Sequence, residues 1–146
     1  MKNKPVQLLA IVCLLLCGTA AKANHPDSVY LFAYNPNPAQ GLALAWSADG
    51  STWTSIGNGY SFVKGDYASW GAEKKMHNPT LAYDGNKWIL VFGLNDRVNQ
   101  FAIATSPDLC HWKPQDYPYT QTGENVVAPY IAVEGNQFVV TYKTSN

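Results

Sequence analysis

The stretch Leu42-Ala43-Leu44-Ala45-Trp46-Ser47-Ala48-Asp49-Gly50-Ser51-Thr52-Trp53 recurs without a gap as Phe101-Ala102-Ile103-Ala104-Thr105-Ser106-Pro107-Asp108-Leu109-Cys110-His111-Trp112, 59 residues later. Alanine, alanine, serine, aspartate and tryptophan keep identical places in both copies. A second pair flanks the first. Pro79-Thr80-Leu81-Ala82-Tyr83-Asp84-Gly85-Asn86-Lys87-Trp88-Ile89-Leu90-Val91-Phe92 matches Pro129-Tyr130-Ile131-Ala132-Val133-Glu134-Gly135-Asn136-Gln137-Phe138-Val139-Val140-Thr141-Tyr142 at an offset of 50. Ser28 to Tyr34 reads as half of a further copy, with Tyr30 matching Trp88 and Tyr34 matching Phe92 at an offset of 58. Self-similarity at such a period marks an architecture built from one repeated supersecondary unit.

Each piece of the unit is a strand or a turn. Asp84-Gly85-Asn86 and Glu134-Gly135-Asn136 supply the residues that a tight hairpin turn requires, since a positive φ is cheap for glycine and asparagine. The runs on either side are short, β-branched or aromatic, and bounded by turn residues, so they read as strands. In Ser-x-Asp-x-x-x-Trp the serine and aspartate can hydrogen-bond the local backbone and shape a turn. The tryptophan can then cap the neighbouring sheet. No helix longer than about one turn is expected.

A hairpin plus two further strands, repeated every 50 to 59 residues, predicts an all-β chain of four-stranded antiparallel propeller blades. The spacing of turns also fits a β-sandwich. A sandwich, however, has no reason to repeat one serine-aspartate-tryptophan corner at a fixed interval.

The amino terminus reads as an export signal. Lys2 and Lys4 precede an apolar run from Leu8 to Cys17, and Ala21-Lys22-Ala23 gives a small-x-small cleavage pattern before Asn24. The run is too short to span a bilayer, which takes roughly 20 apolar residues. Residues 1–23 are therefore assigned as a signal peptide and 24–146 as the folded part, secreted or periplasmic. Cys17 leaves open a lipid anchor on the outer surface, although the bulky Leu16 before it does not suit that processing.

Ten basic residues balance ten acidic ones, with no charge run, so neither nucleic acid nor an anionic membrane surface is an expected partner. Cys13 and Cys17 fall in the signal segment, which leaves Cys110 alone. No disulfide framework, cysteine metal site or other cofactor is indicated. Aromatic residues reach 13% against 14% charged residues. That balance suits strands, and it suits sugar binding.

The chain resembles the five-bladed β-propeller glycosidases, in particular glycoside hydrolase family 43 and its relatives. The resemblance rests on Gly41 to Trp53, on Lys75-Met76-His77-Asn78-Pro79-Thr80-Leu81, on Ile103 to Trp112, and on Asn125-Val126-Val127-Ala128-Pro129-Tyr130. It covers nearly all of the mature part. It implies the end of one blade, a full second blade and the start of a third, and it implies carbohydrate partners of the arabinose- or xylose-containing, plant-type kind.

Members of that family are expected to use three carboxyl groups: a base, a pKa-setting Asp in an Arg-Asp-Pro motif, and an acid Glu in an Ala-Pro-Glu motif. Inverting hydrolysis needs two carboxyls about 6.5–9.5 Å apart, with water between them. Here His77-Asn78-Pro79 and Ala128-Pro129-Tyr130 stand at the two motifs, so Asn78 and Tyr130 hold the modulator and acid positions. An amide does not ionise, and a phenol with a reference pKa of about 10 is a poor proton donor to a glycosidic oxygen. The strand that would carry the base is absent, and Asp27 aligns with Gly85 in a turn. Glu73 and Glu124 are the remaining nearby carboxylates, both read as solvated loop residues.

Three functions follow as expectations. The first is a glycosidase-like propeller piece, lacking catalysis, that binds carbohydrate through Trp70, His77, Asn78, Asn95 and Tyr130. The second is an active hydrolase using other carboxylates. The third is an interaction module. Five blades would need about 250–300 residues, so the chain reads as a fragment, or as a unit that associates through its open blade edges.

Overall fold

The computed structural model describes residues 27–64, 75–96, 98–120 and 123–145. The signal segment with Cys17, together with Trp70 and Glu73, lies outside the described residues. The chain is all-β. Strands β1 (Tyr30–Tyr34), β2 (Ala43–Ser47) and β3 (Thr54–Ser55) form one antiparallel sheet. Strands β4 (Met76–Tyr83), β5 (Trp88–Leu94) and β6 (Phe101–Ser106) form the second, and β7 (Asn125–Glu134) with β8 (Gln137–Ser145) form the third. Among the described residues the one helical element is a single 3-10 turn, Gly57–Gly59.

The repeated sequences become repeated structure. In the β4–β5 turn, Asp84 Oδ1 accepts hydrogen bonds from the amides of Asn86 (2.9 Å) and Lys87 (2.7 Å). Gly85 there has φ 91°, and Gly135 in the β7–β8 turn has φ 62°, the left-handed region where a side chain is costly.

The serine-aspartate corners follow β2 and β6. Ser47 Oγ accepts from the amide of Gly50 at 2.9 Å, and Asp49 Oδ1 accepts from those of Ser51 (2.8 Å) and Thr52 (2.7 Å). In the second copy Asp108 Oδ1 accepts from the amides of Cys110 (2.9 Å) and His111 (2.8 Å). Trp112 lies against the core beside Leu109, whose carbonyl accepts its Nε1–H at 2.9 Å. Trp53 packs on Phe32 with ring centroids 5.5 Å apart.

The sequence predicts four strands for the full second blade; among the described residues the three sheets hold three, three and two. The middle sheet comes nearest to four. Outside β6, Lys113 donates to Thr105 and Asp116 pairs with Ile103, so a fourth rank exists as isolated hydrogen bonds. Lys113-Pro114 and Tyr117-Pro118 explain the interruption, because proline offers no amide to a ladder. β1 and β8 each pair along one edge only. Among the described residues no closed ring is formed.

The sheets pack face to face. Alternation along a strand sends successive side chains to opposite faces, and β5 is apolar on both. Leu90, Phe92 and Leu94 join Leu42 and Leu44 in one buried cluster between the first and second sheets. Ile89 and Val91 join Phe101 and Ile131 in another between the second and third. Burying each such side chain contributes roughly 1.5–3 kcal/mol, so β5 is the strand on which both interfaces depend.

Candidate functional site: a polar cleft at the starts of β4 and β7

Both β4 and β7 carry a bulge at the same place. Pairing with β5 shifts register between His77 and Thr80, and pairing with β8 shifts between Val127 and Tyr130. Within each bulge a left-handed residue precedes a proline: Asn78 at φ 47° and Ala128 at φ 49°. The proline explains the break, since it cannot donate to the ladder. A bulge lets a strand bend and re-aims the side chains beside it.

A cleft of ≈ 530 Å³ opens at these bulges, lined by His77 and Asn78 of β4, Gly93 of β5, Asn95 and Asp96 just beyond it, Val126 to Ala128 of β7, and Ser145 at the end of β8. Two links hold the walls in place. Asn35 Nδ2 donates to the Met76 carbonyl at 2.9 Å, fixing the start of β4. The Val126 amide donates to the Val98 carbonyl at 2.8 Å, fixing β7 against the loop after β5.

The polar groups are ordered from behind. Asn95 has φ 44°; its Oδ1 accepts from the Lys75 amide at 2.8 Å, and its own amide donates to the Lys75 carbonyl at 3.0 Å. Lys75 Nζ reaches Asp96 Oδ2 at 2.7 Å. His77 Nε2 lies 3.3 Å from Asp96 Oδ1, but not in hydrogen-bonding alignment, so this buried ring nitrogen has no hydrogen-bond partner among the described residues. A polar atom left so is costly unless a further group satisfies it.

Of the residues singled out from sequence, His77, Asn78 and Asn95 meet at this cleft. Tyr130 does not line it. Tyr130 is 58% exposed and pairs with Thr141, on the face of the third sheet opposite Val140 and Tyr142, which pack on the second. Glu124 lies in the loop before β7, where its carbonyl accepts from Thr120 Oγ1 at 2.9 Å. Asp96, Gly93 and Ser145 escaped the sequence reading. Asp96 follows Asn95 directly, so an acidic residue at a strand end was the available signal. Ser145 had none.

Asp96 is the one carboxylate among the described residues lining the cleft. The arrangement therefore offers an imidazole, two amides, a hydroxyl and a single carboxylate, a set that hydrogen-bonds hydroxyl-rich ligands. Among the described residues it lacks the opposed carboxyl pair that inverting hydrolysis requires. No family model matches the chain, and no curated protein matches its sequence.

Proposed function

We propose that this chain is an exported, glycosidase-like β-propeller piece that binds carbohydrate and has lost hydrolysis. The single observation that carries the reading is the cleft at the β4 and β7 bulges, where His77, Asn78, Asn95 and Asp96 converge. Sugars present closely spaced hydroxyls that act as both donors and acceptors. An imidazole with a free buried nitrogen and the Asn95 side chain held by the Lys75 amide suit such ligands, because little side-chain entropy is lost on binding.

The propeller reading is supported by the repeat, by the face-to-face packing of successive sheets, and by bulges at matching stations in β4 and β7. Loss of catalysis is supported by Asn78 and Tyr130 at the two motif positions and by Asp96 as the one carboxylate among the described residues lining the cleft. Arabinose- or xylose-containing oligosaccharides are the class to try, since the resemblance points there.

The test is a titration of the purified protein with arabino- and xylo-oligosaccharides, followed through the backbone amide resonances of β4 and β5. Saturable shifts confined to His77, Asn78, Gly93 and Asn95, abolished by His77→Ala, are expected. No shift with either sugar would sink the binding reading. Turnover of an aryl-arabinoside or aryl-xyloside that disappears in Asp96→Asn or Glu124→Gln would sink the non-catalytic part.

A further inference from the structure

Asn58-Gly59 is the one Asn-Gly pair in the chain, and the fold leaves it at the surface. Both residues are exposed, in the 3-10 turn Gly57–Gly59 between β3 and Val63. Asn58 stands in the left-handed region, at φ 51° and ψ 43°, between Gly57 at φ 72° and Gly59 at φ 84°. No side-chain hydrogen bond caps the turn, and it buries none of its own residues.

The turn is anchored at its two ends and open in its middle. The Ile56 amide donates to the Leu44 carbonyl at 2.8 Å, and the Phe62 amide donates to the Leu42 carbonyl at 2.9 Å. Between these anchors the Tyr60 amide donates to the Gly57 carbonyl at 3.0 Å, and Tyr60 is 65% exposed. A Cβ added at Gly59 would meet nothing within 4 Å. A solvent-facing turn without buried side chains opens locally at low cost while the sheet beneath it stays folded.

Other asparagines lack this combination of an unhindered neighbour and an open setting. Asn35, Asn37 and Asn78 each precede a proline, whose nitrogen carries no hydrogen. After Asn86 the Lys87 amide donates to Asp84 Oδ1 at 2.7 Å, and after Asn125 the Val126 amide donates to the Val98 carbonyl at 2.8 Å. Asn95 has its side-chain oxygen held by the Lys75 amide at 2.8 Å.

We propose that Asn58 is a modification site, at which the chain deamidates itself through an imide with Gly59. The Gly59 nitrogen attacks Asn58 Cγ: a new C–N bond forms, the Cγ–Nδ2 bond breaks, and ammonia leaves with the proton from the Gly59 nitrogen. Glycine suits the attacking position because, without a Cβ, it turns freely and brings no steric hindrance. Water then opens the five-membered imide. Opening at the side-chain carbonyl gives aspartate; opening at the main-chain carbonyl routes the backbone through Cγ as isoaspartate. Either product adds a carboxylate to the turn, and the second also adds a methylene between its two anchored ends. The site is independent of the carbohydrate cleft.

The test holds the folded protein in mildly alkaline buffer at physiological temperature, with peptides sampled over days by mass spectrometry that separates aspartate from isoaspartate. Both forms should accumulate at Asn58 at least about tenfold faster than at Asn86 or Asn125, whose following amides are hydrogen-bonded. A smaller difference overturns the proposal, and so does aspartate without isoaspartate, the mark of direct hydrolysis. The same chain unfolded in guanidinium chloride gives the rate of the bare sequence. The folded rate should lie within about tenfold of it, because the turn opens at low cost; a slower folded rate means that the native turn protects Asn58, and overturns the proposal. Gly59→Ala should slow the reaction about tenfold with an unchanged far-ultraviolet spectrum, since its methyl hinders the attacking nitrogen. An unchanged rate overturns the assignment of that nitrogen. Asn58→Gln is the second variant, used if Gly59→Ala loses its strand signal: the modified peptide should disappear, and its persistence overturns the site.

Discussion

Asn78 and Ala128 occupy the same station 50 residues apart: each is left-handed, at φ 47° and 49°, and each stands before the proline of a bulge. Asparagine tolerates that conformation, and alanine does so at a cost of about 1 kcal/mol. Ala128→Asn should therefore stabilise the fold by about 0.5–1 kcal/mol, and Asn78→Ala should destabilise it by a similar amount. Urea unfolding midpoints of the two variants, moving in opposite directions, check this.

The serine-aspartate corners make a second prediction. Ser47 and Ser106 are each 1% exposed, and their hydroxyls accept from amides of the turn that follows. Replacing either by alanine leaves part-buried turn amides without their acceptor. Each of Ser47→Ala and Ser106→Ala should cost about 1–3 kcal/mol, measured by thermal or urea unfolding. Equal effects are expected if the two corners are the same device.

Acid should weaken the same corners. The amides of Thr52 and Ser51 hold the Asp49 carboxyl well below its ordinary 3.8. The amides of Lys87 and Asn86 also lower that of Asp84. For Asp108 the larger cause is the His111 side chain, whose Nδ1 lies 2.6 Å from Oδ2, followed by the His111 amide. A carboxyl with a lowered pKa in the folded state binds fewer protons there than in the unfolded chain. Its contribution is therefore complete above pH 3.8 and is lost progressively as pH falls below that value. The wild-type urea midpoint should drop between neutral pH and pH values below 4, and the Asp49→Asn, Asp108→Asn double variant should drop less.

Among the described residues Gly41 is the glycine whose replacement should hurt most. It has φ 84°, and a Cβ there would run into the Val63 carbonyl oxygen. That oxygen accepts the Leu42 amide at 2.7 Å, so it cannot move without breaking the bridge between the two segments. Gly41→Ala should cost more than about 2 kcal/mol. Gly85→Ala also meets a positive φ but nothing within 4 Å, and its cost should stay nearer 1 kcal/mol. The ranking of the two unfolding midpoints is the measurement.

Gly93 offers a change that narrows the cleft and spares the fold. An added methyl would sit at ordinary contact distance, 3.5 Å, from His77 Cβ and from Pro129 Cδ. Gly93→Ala should leave the unfolding midpoint nearly unchanged and weaken oligosaccharide binding about tenfold, equivalent to 1.4 kcal/mol. Calorimetric titration beside an unfolding curve separates the two effects.

Much of this protein is written in local sequence. The hairpin at Asp84-Gly85-Asn86, the paired corners at Ser47 and Ser106, and the short β-branched or aromatic strand runs rest on hydrogen bonds within a few residues and on strand propensity. Local chemistry of that kind needs no distant partner, and the repeat displays it twice. The tertiary structure decided what local pattern cannot carry. It brought Asp96 and Ser145 to His77 across 19 and 68 residues of chain, a meeting that depends on how three strands pack. It also sent Tyr130 away from that cleft. The physical reason is the bulge at Ala128-Pro129: one unpaired residue resets the alternation of β7. A tyrosine placed at the cleft by analogy instead stands on the sheet's outward face beside Thr141.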